Sequence, residues 1–421
     1  MSIGEYKLSE KFDTHGLLHT PEGVRDIYNS ECKNKHIVEQ NIHEMLELYH
    51  FLDIETPTFE YFDIFNKERG TIASKEMYKF FDKEGNTLVL RPDFTPSIAR
   101  CAAKYFKEEE LPIRLCYMGN TFINTSSYQG KLKEVTQLGA ELINDNSVDA
   151  DAEMIALTIE CLQKAGLKDL QLEIGHADFF NGILEEAKMS EEESMELKIL
   201  IESKNLFGVE ELITSKNLDK TLEELILKIP ELFGGEENLL FAKERVHNER
   251  SLKALERLFE LNKILKVYGL EKYVGYDLGM LSKYNYYTGI IYRGYTYGTG
   301  DVIVTGGRYD NLVGQFGKDA PAIGFAIVID QLMLALSRQK VEQKDSSTGT
   351  IIVYDINARK TAIQLGTELR KAGTKVELVR KSTRHQVEEY IAYGKKNNVA
   401  RMLYIEGEDG VKEMNLVGEE L

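Results

Sequence analysis

Apolar residues near the start of the chain recur at helical spacing. Ile37, Val38, Ile42, Met45, Leu46 and Leu48 fall on one side of a helix expected from Asp26 to about Phe51. Leu52-Asp-Ile-Glu-Thr-Pro57 then reads as a strand stopped by proline, and Asn86-Thr-Leu-Val-Leu-Arg91 as a strand opening into Pro92-Asp-Phe-Thr-Pro96. Helical spacing resumes from Ser97 to Lys107. Strand signals follow at Ile113-Arg-Leu-Cys-Tyr-Met118 and over 134–143, where alternate residues point to opposite faces. A further helix, Asp149 to Ala165, is stopped by Gly166.

From about 181 to 269 the pattern turns helical and rich in Glu, Leu and Lys, broken by Gly208, Pro230 and Gly234-Gly235, as in a helical insertion. Strand patterns return between Val274 and Ile329, with Tyr286 to Tyr292 and Asp301 to Thr305 flanking a glycine-rich turn. The polar run 337–349 reads as a linker. Beyond it, β-α-β-α-β alternation predicts a small α/β domain over 350–421. The expected organisation is a core over 1–336 carrying the insertion, then the linker, then the small domain.

With 421 residues, 43% of them hydrophobic, the chain has the material for two or three domains. Its net charge of −17 disfavours a nucleic-acid binder held by a basic surface. No apolar run approaches the roughly 18 residues of a membrane span, and the first ten residues lack a basic start followed by an apolar stretch. A soluble cytoplasmic protein is expected. The cysteines Cys32, Cys101, Cys116 and Cys161 form no C-x-x-C pair, so they read as reduced core or helix-face thiols. His36, His43 and His50 recur every seven residues, a rise of about 10.5 Å on a helix, too far for neighbours to share one metal ion. No metal or cofactor is expected, and the glycine pairs match neither a phosphate loop nor a dinucleotide fingerprint.

Three polar clusters carry the candidate chemistry. Arg91-Pro-Asp93-Phe-Thr95 holds a carboxylate and a hydroxyl on a proline-stiffened turn, and Gln137-Leu-Gly-Ala-Glu141 places two polar side chains on one face of a strand. Tyr286-Tyr287 and Gly306-Gly-Arg-Tyr309-Asp310 add phenols and a guanidinium. Acidic, amide and phenolic groups converging on one pocket suit a ligand bearing an ammonium group and a polar ring; ordinary strand and turn residues are the competing explanation.

These elements, in order with Pro21-Glu-Gly-Val-Arg-Asp26, Arg114-Leu-Cys-Tyr-Met-Gly119 and Pro321-Ala-Ile-Gly-Phe-Ala326, resemble the catalytic core of histidyl-tRNA synthetase over about residues 20 to 335. The resemblance implies an α+β fold: a class II aminoacyl-tRNA synthetase-like antiparallel sheet core with a helical insertion. The segment from about 349 is similar to a shortened anticodon-binding domain of that enzyme. Carried over by resemblance, Asp93, Thr95 and Gln137 would receive the α-ammonium group of histidine, and Glu141, Tyr287 and Tyr309 would face its imidazole.

Three positions depart from the synthetase pattern. Ile123, Ser282 and Gln331 stand where the synthetase has arginines that meet ATP and the substrate carboxylate. Adenylate formation builds negative charge on phosphate oxygens, and each missing cationic contact would cost about 2 to 4 kcal/mol in the transition state. Lys131, Lys133 and Lys283 offer charge nearby without the planar fork of arginine. A histidine-sized pocket without ATP activation resembles the ATP phosphoribosyltransferase regulatory subunit family, whose form of the loop Arg91 to Pro96 matches. That family's properties would make the chain a non-catalytic partner of the short-form catalytic subunit in the first step of histidine biosynthesis. They further imply a hetero-octamer of four plus four, dimeric self-association, feedback by histidine as effector, and no specific tRNA binding. An active histidyl-tRNA synthetase and a free-standing histidine-binding module are the alternatives.

Overall fold

The computed structural model describes residues 18–65, 72–125, 131–214, 216, 218–281, 286–341, 349–407 and 410–416. They fall in two compact units, 1–342 and 343–421. Ser282, Lys283, the expected linker residues 342–348 and the first ten residues lie outside the described residues.

The first unit is built on nine strands: β1 (Leu52–Asp53), β5 (Ile113–Phe122), β6 (Glu134–Ile143), β7 (Leu170–His176), β8 (Phe233–Gly234), β9 (Val274–Asp277), β10 (Ile290–Thr296), β11 (Val304–Arg308) and β12 (Ala322–Val328). Their order is β1-β5-β6-β12-β11-β10-β7-β9-β8. The central pairings, β5 to β6 to β12 to β11 to β10 to β7, are all antiparallel. A separate three-stranded sheet, β2 (Phe59–Tyr61), β4 (Thr87–Leu90) and β3 (Lys79–Phe81), carries β4 directly into the Arg91 to Thr95 turn.

Strand alternation sorts the large sheet into two faces. Leu138, Ala140 and Leu142 of β6 join the main core with the helix Val148–Lys164. Leu115 and Tyr117 of β5 and Ile143 of β6 join a second core beneath the helix Thr95–Tyr105, through Phe94, Ile98 and Ala102. The first long helix, Asn29–Leu48, seats Val38, Ile42 and Leu46 in the main core, all fully buried. Val148–Lys164 starts where Ser147 Oγ accepts from the Ala150 amide, with Asp149 and Asp151 in its first turn.

Differences from the expected elements have local causes. The run after Leu52 keeps only two strand residues, because pairing with β5 ends after Asp53. The strand β7 was not among the expected elements, although Leu170-Gln-Leu-Glu-Ile174 alternates; it is held between β10 and β9. The insertion is helical, starting at Ala177 and including Glu191–Glu202 and Glu249–Tyr268; its Leu197, Leu225 and Leu255 share the main core. The helix Ile329–Arg338 takes in the first two residues of the expected linker.

The second unit places β14 (Val376–Arg380), β13 (Gly349–Tyr354), β15 (Val399–Ile405) and β16 (Val411–Asn415) side by side, parallel except for β16. Ile352, Leu403 and Ile405 pack under the helix Arg359–Lys371 through Ala362, Leu365 and Leu369. On the other side, Ile351, Val353 and Met402 meet Tyr390 and Ile391 of the helix Val387–Lys396. This is the predicted α/β alternation with one added antiparallel strand.

Candidate functional site

The site lies on the sheet face beneath Thr95–Tyr105, and its floor is shaped by what the strands leave out. An ideal Cβ on Gly324 of β12 would lie 1.6 Å from Glu141 Oε2, and one on Gly307 of β11 would lie 2.7 Å from the Tyr287 ring. Glycine at these two strand positions gives the carboxylate and the phenol their space. Gly324→Ala is therefore expected to destabilise the protein by about 1–3 kcal/mol, read as a lower urea midpoint at unchanged slope.

The turn that presents Asp93 and Thr95 is clamped by Arg91. Its guanidinium donates to the carbonyls of Thr56 and Asn120, both at 2.8 Å, and lies 4.0 Å from the centre of the Phe94 ring. Phe94 in turn stacks on Tyr117 of β5 at 4.3 Å. The Thr95 amide donates to Asp93 Oδ1 at 3.3 Å, so the loop fixes its own carboxylate.

Glu141 is the hub, with 1% of its surface exposed. The Thr95 hydroxyl donates to its Oε1 at 2.9 Å and the Tyr309 hydroxyl to its Oε2 at 2.6 Å. Asp93 Oδ2 accepts from the Tyr286 hydroxyl at 3.1 Å, and the Tyr286 ring lies 4.8 Å from that of Tyr287 and 5.9 Å from that of Tyr309. Asp93, Thr95, Glu141, Tyr287 and Tyr309 are thus brought together. Gln137 shares the Glu141 face of β6 but stands four residues along the strand, and its Oε1 is buried without a hydrogen-bond partner. Tyr286, which stands in the third polar cluster but outside the contacts that the resemblance implies for histidine, binds Asp93 directly.

Burial pushes Glu141 up from 4.5 to about 8, against the lowering effect of the Tyr309 and Thr95 hydrogen bonds and with the Asp93 charge adding to the rise. Burial also raises Asp93, opposed by its bonds from Thr95 and Tyr286. A raised carboxyl contributes stability that is present below its unfolded value and lost as pH rises through the folded one. Stability is therefore expected to fall between about pH 4.5 and 8. The Glu141 share of that slope approaches 1.4 kcal/mol per pH unit, on the order set by one proton, and Glu141→Gln removes it in urea titrations across that range.

Tyr287 also borders a cavity of about 1130 Å³ lined by Arg25, Lys131, Arg293, Gln331 and Arg338 among others. Each of its guanidinium groups makes a protein contact. Arg25 pairs with Glu31 at 2.6 Å, Arg293 donates to the Leu281 carbonyl, and Arg338 to that of Gly298. Gln331 Nε2 lies 3.5 Å from Asp301. Ile123 follows the last residue of β5, and its amide donates to the Lys133 carbonyl at 2.9 Å.

A histidyl-tRNA synthetase family model matches residues 23–332. The chain is 32% identical to a solved chain described as an ATP phosphoribosyltransferase regulatory subunit/histidyl-tRNA synthetase from Bacillus halodurans, with TM-score 0.83 over 93% of this chain and 99% of that one. Sheet and helices together define a histidyl-tRNA synthetase-like, class II architecture. An ATP phosphoribosyltransferase regulatory subunit from Acetivibrio thermocellus is 45% identical over 86% of both chains. One from Clostridium acetobutylicum is 35% identical over 95% of this chain and 98% of its own. The chain belongs to the ATP phosphoribosyltransferase regulatory subunit family.

Proposed function

We propose that this chain is the non-catalytic regulatory subunit of ATP phosphoribosyltransferase, acting in the first step of histidine biosynthesis and making that step sensitive to histidine. The observation that carries the reading is Glu141, buried and bonded to both Thr95 and Tyr309, with Asp93 and Tyr286 beside it. Carboxylate and phenol groups so placed suit an ammonium group and an imidazole, and they sit in a chain whose relatives carry the regulatory-subunit name. Histidine would exchange hydrogen bonds with this cluster, Asp93 and Thr95 at the α-ammonium group and Glu141, Tyr287 and Tyr309 at the ring. Gln137, with its unpartnered oxygen, would extend the ammonium site.

Loss of adenylate chemistry is the other half of the proposal. Ile123 and Gln331 offer no cation and Ser282 is a serine in sequence, so the positions where the synthetase carries arginine supply none. A polyphosphate needs charge-assisted donors free to meet it. ATP–pyrophosphate exchange with histidine is expected to stay at background; exchange that co-purifies with the chain through several steps overturns this half and favours an active synthetase.

The partner in this reading is the short-form catalytic subunit, in a cytoplasmic hetero-octamer of four plus four. The exposed apolar side chains Phe59, Tyr61 and Phe81 of the three-stranded sheet support burial against other chains, dimeric self-association included. Histidine would act by binding the active and inhibited assemblies with different affinity. Calorimetry on the complex tests the pocket: binding is expected, and an absence of binding to both the chain and the complex contradicts it.

A further inference from the structure

One cluster lies on the opposite side of β5 from the pocket and takes no part in it. Tyr117 faces the pocket core, and the preceding residue, Cys116, turns to the other face, 1% exposed. Cys116 is the register partner of Asp53 in the parallel β1 to β5 pairing, so the two side chains are neighbours by backbone geometry. Cys116 Sγ lies 3.5 Å from Asp53 Oδ1. The helix Asn29–Leu48, held down by Ile42 and Leu46, brings His43 Nε2 to 2.8 Å from the same Asp53 oxygen. Nitrogen, oxygen and sulfur all fall within 4.8 Å of one another. On its far side, His43 Nδ1 faces Glu47 Oε2 at 4.0 Å.

We propose that His43, Asp53 and Cys116 bind a zinc-class divalent cation at the β1 edge of the large sheet, with one position left to water. The donor set selects the metal: a thiolate and an imidazole favour zinc or cobalt over magnesium and calcium, which take oxygen. Bonds of about 2.0–2.3 Å place tetrahedral ligand atoms about 3.3–3.7 Å apart, close to the Cys116–Asp53 separation here. Closure needs shifts on the order of 1 Å. They fall on Asp53, 68% exposed, and His43, 32% exposed, while Cys116 is the fixed floor. Glu47 Oε2 stands 4.0 Å behind the outer ring nitrogen and would have to close on it to act as carboxylates behind zinc-bound histidines do. The thiol proton leaves to solvent as the sulfur–metal bond forms, and carboxylate plus thiolate balance the two positive charges. The cation would tie the long helix to the sheet edge. Sequence spacing could not show this, because the nearest helix repeats, His36 and His50, are not its partners.

The test uses the full chain, stripped with a chelator and then given zinc or cobalt. One equivalent of zinc is expected by calorimetry, with binding weakened about tenfold or more in both Asp53→Asn and His43→Gln. Cobalt is expected to give a sulfur-to-metal charge-transfer band that Cys116→Ser abolishes and Cys32→Ser leaves in place; Cys32 lies near His36, a second thiol–imidazole pair without the carboxylate bridge. Should Cys116→Ser fail to fold, the exposed Asp53→Asn still decides. Zinc binding unchanged in Asp53→Asn and His43→Gln overturns the site, as does cobalt binding without the band.

Discussion

Asp151→Ala is expected to destabilise the first unit by about 3–5 kcal/mol, among the largest effects of any single substitution here. Asp151 has no exposed surface, and Arg308 has 1%. Arg308 Nε and Nη2 donate to Asp151 Oδ1 at 2.8 and 2.6 Å, and Arg257 Nε donates to Oδ2 at 2.6 Å. Removing the carboxylate leaves two guanidinium groups facing each other, one of them wholly buried. The damage should spread to the pocket, because Arg308 immediately precedes Tyr309, whose hydroxyl meets Glu141. Urea unfolding measures the loss. Pairing Asp151→Leu with Arg308→Met should recover part of it, since the wholly buried guanidinium goes with its carboxylate, while the part-buried Arg257 and Asp310 each lose a partner. A loss below about 1 kcal/mol in Asp151→Ala would mean that the pair is not desolvated as described.

The second large effect concerns ligand. Glu141→Ala is expected to weaken histidine binding about 10- to 100-fold, the scale of leaving buried hydrogen-bond partners unmet. Two buried hydroxyls, Thr95 Oγ1 and Tyr309 Oη, lose their acceptor in the same step. Because that vacancy also costs stability, Glu141→Gln is the paired variant: it keeps an oxygen and nearly the same volume. Calorimetry on the complex should then rank wild type, Gln and Ala in descending affinity. Equal affinities would remove Glu141 from the histidine site.

Much of the fold was readable wherever periodicity was strong. The strand over 134–143 begins and ends where expected, and the helices Asn29–Leu48 and Val148–Lys164 differ from their sequence bounds by three residues or fewer. The strand β7 alternates strictly in Leu170-Gln-Leu-Glu-Ile174 and yet was missed between the helix stop at Gly166 and the helical insertion; it ends in a histidine that caps the following helix, the Asp178 amide donating to His176 Nδ1. The site was legible as separate motifs but not as a network. Nothing in spacing says that Thr95 meets Glu141 rather than waiting for ligand, that Gln137 stands apart, or that Tyr286 binds Asp93. Those facts depend on which strands adjoin, and two glycines, Gly307 and Gly324, are what allow the side chains to meet.

The most direct test of the regulatory reading is the steady-state rate of a short-form ATP phosphoribosyltransferase catalytic subunit, with and without this chain, across a histidine titration. The expected result is a rate that rises when the chain is added and falls again with histidine only in its presence. A rate indifferent to the chain, or equal histidine inhibition of the catalytic subunit alone, would contradict the account.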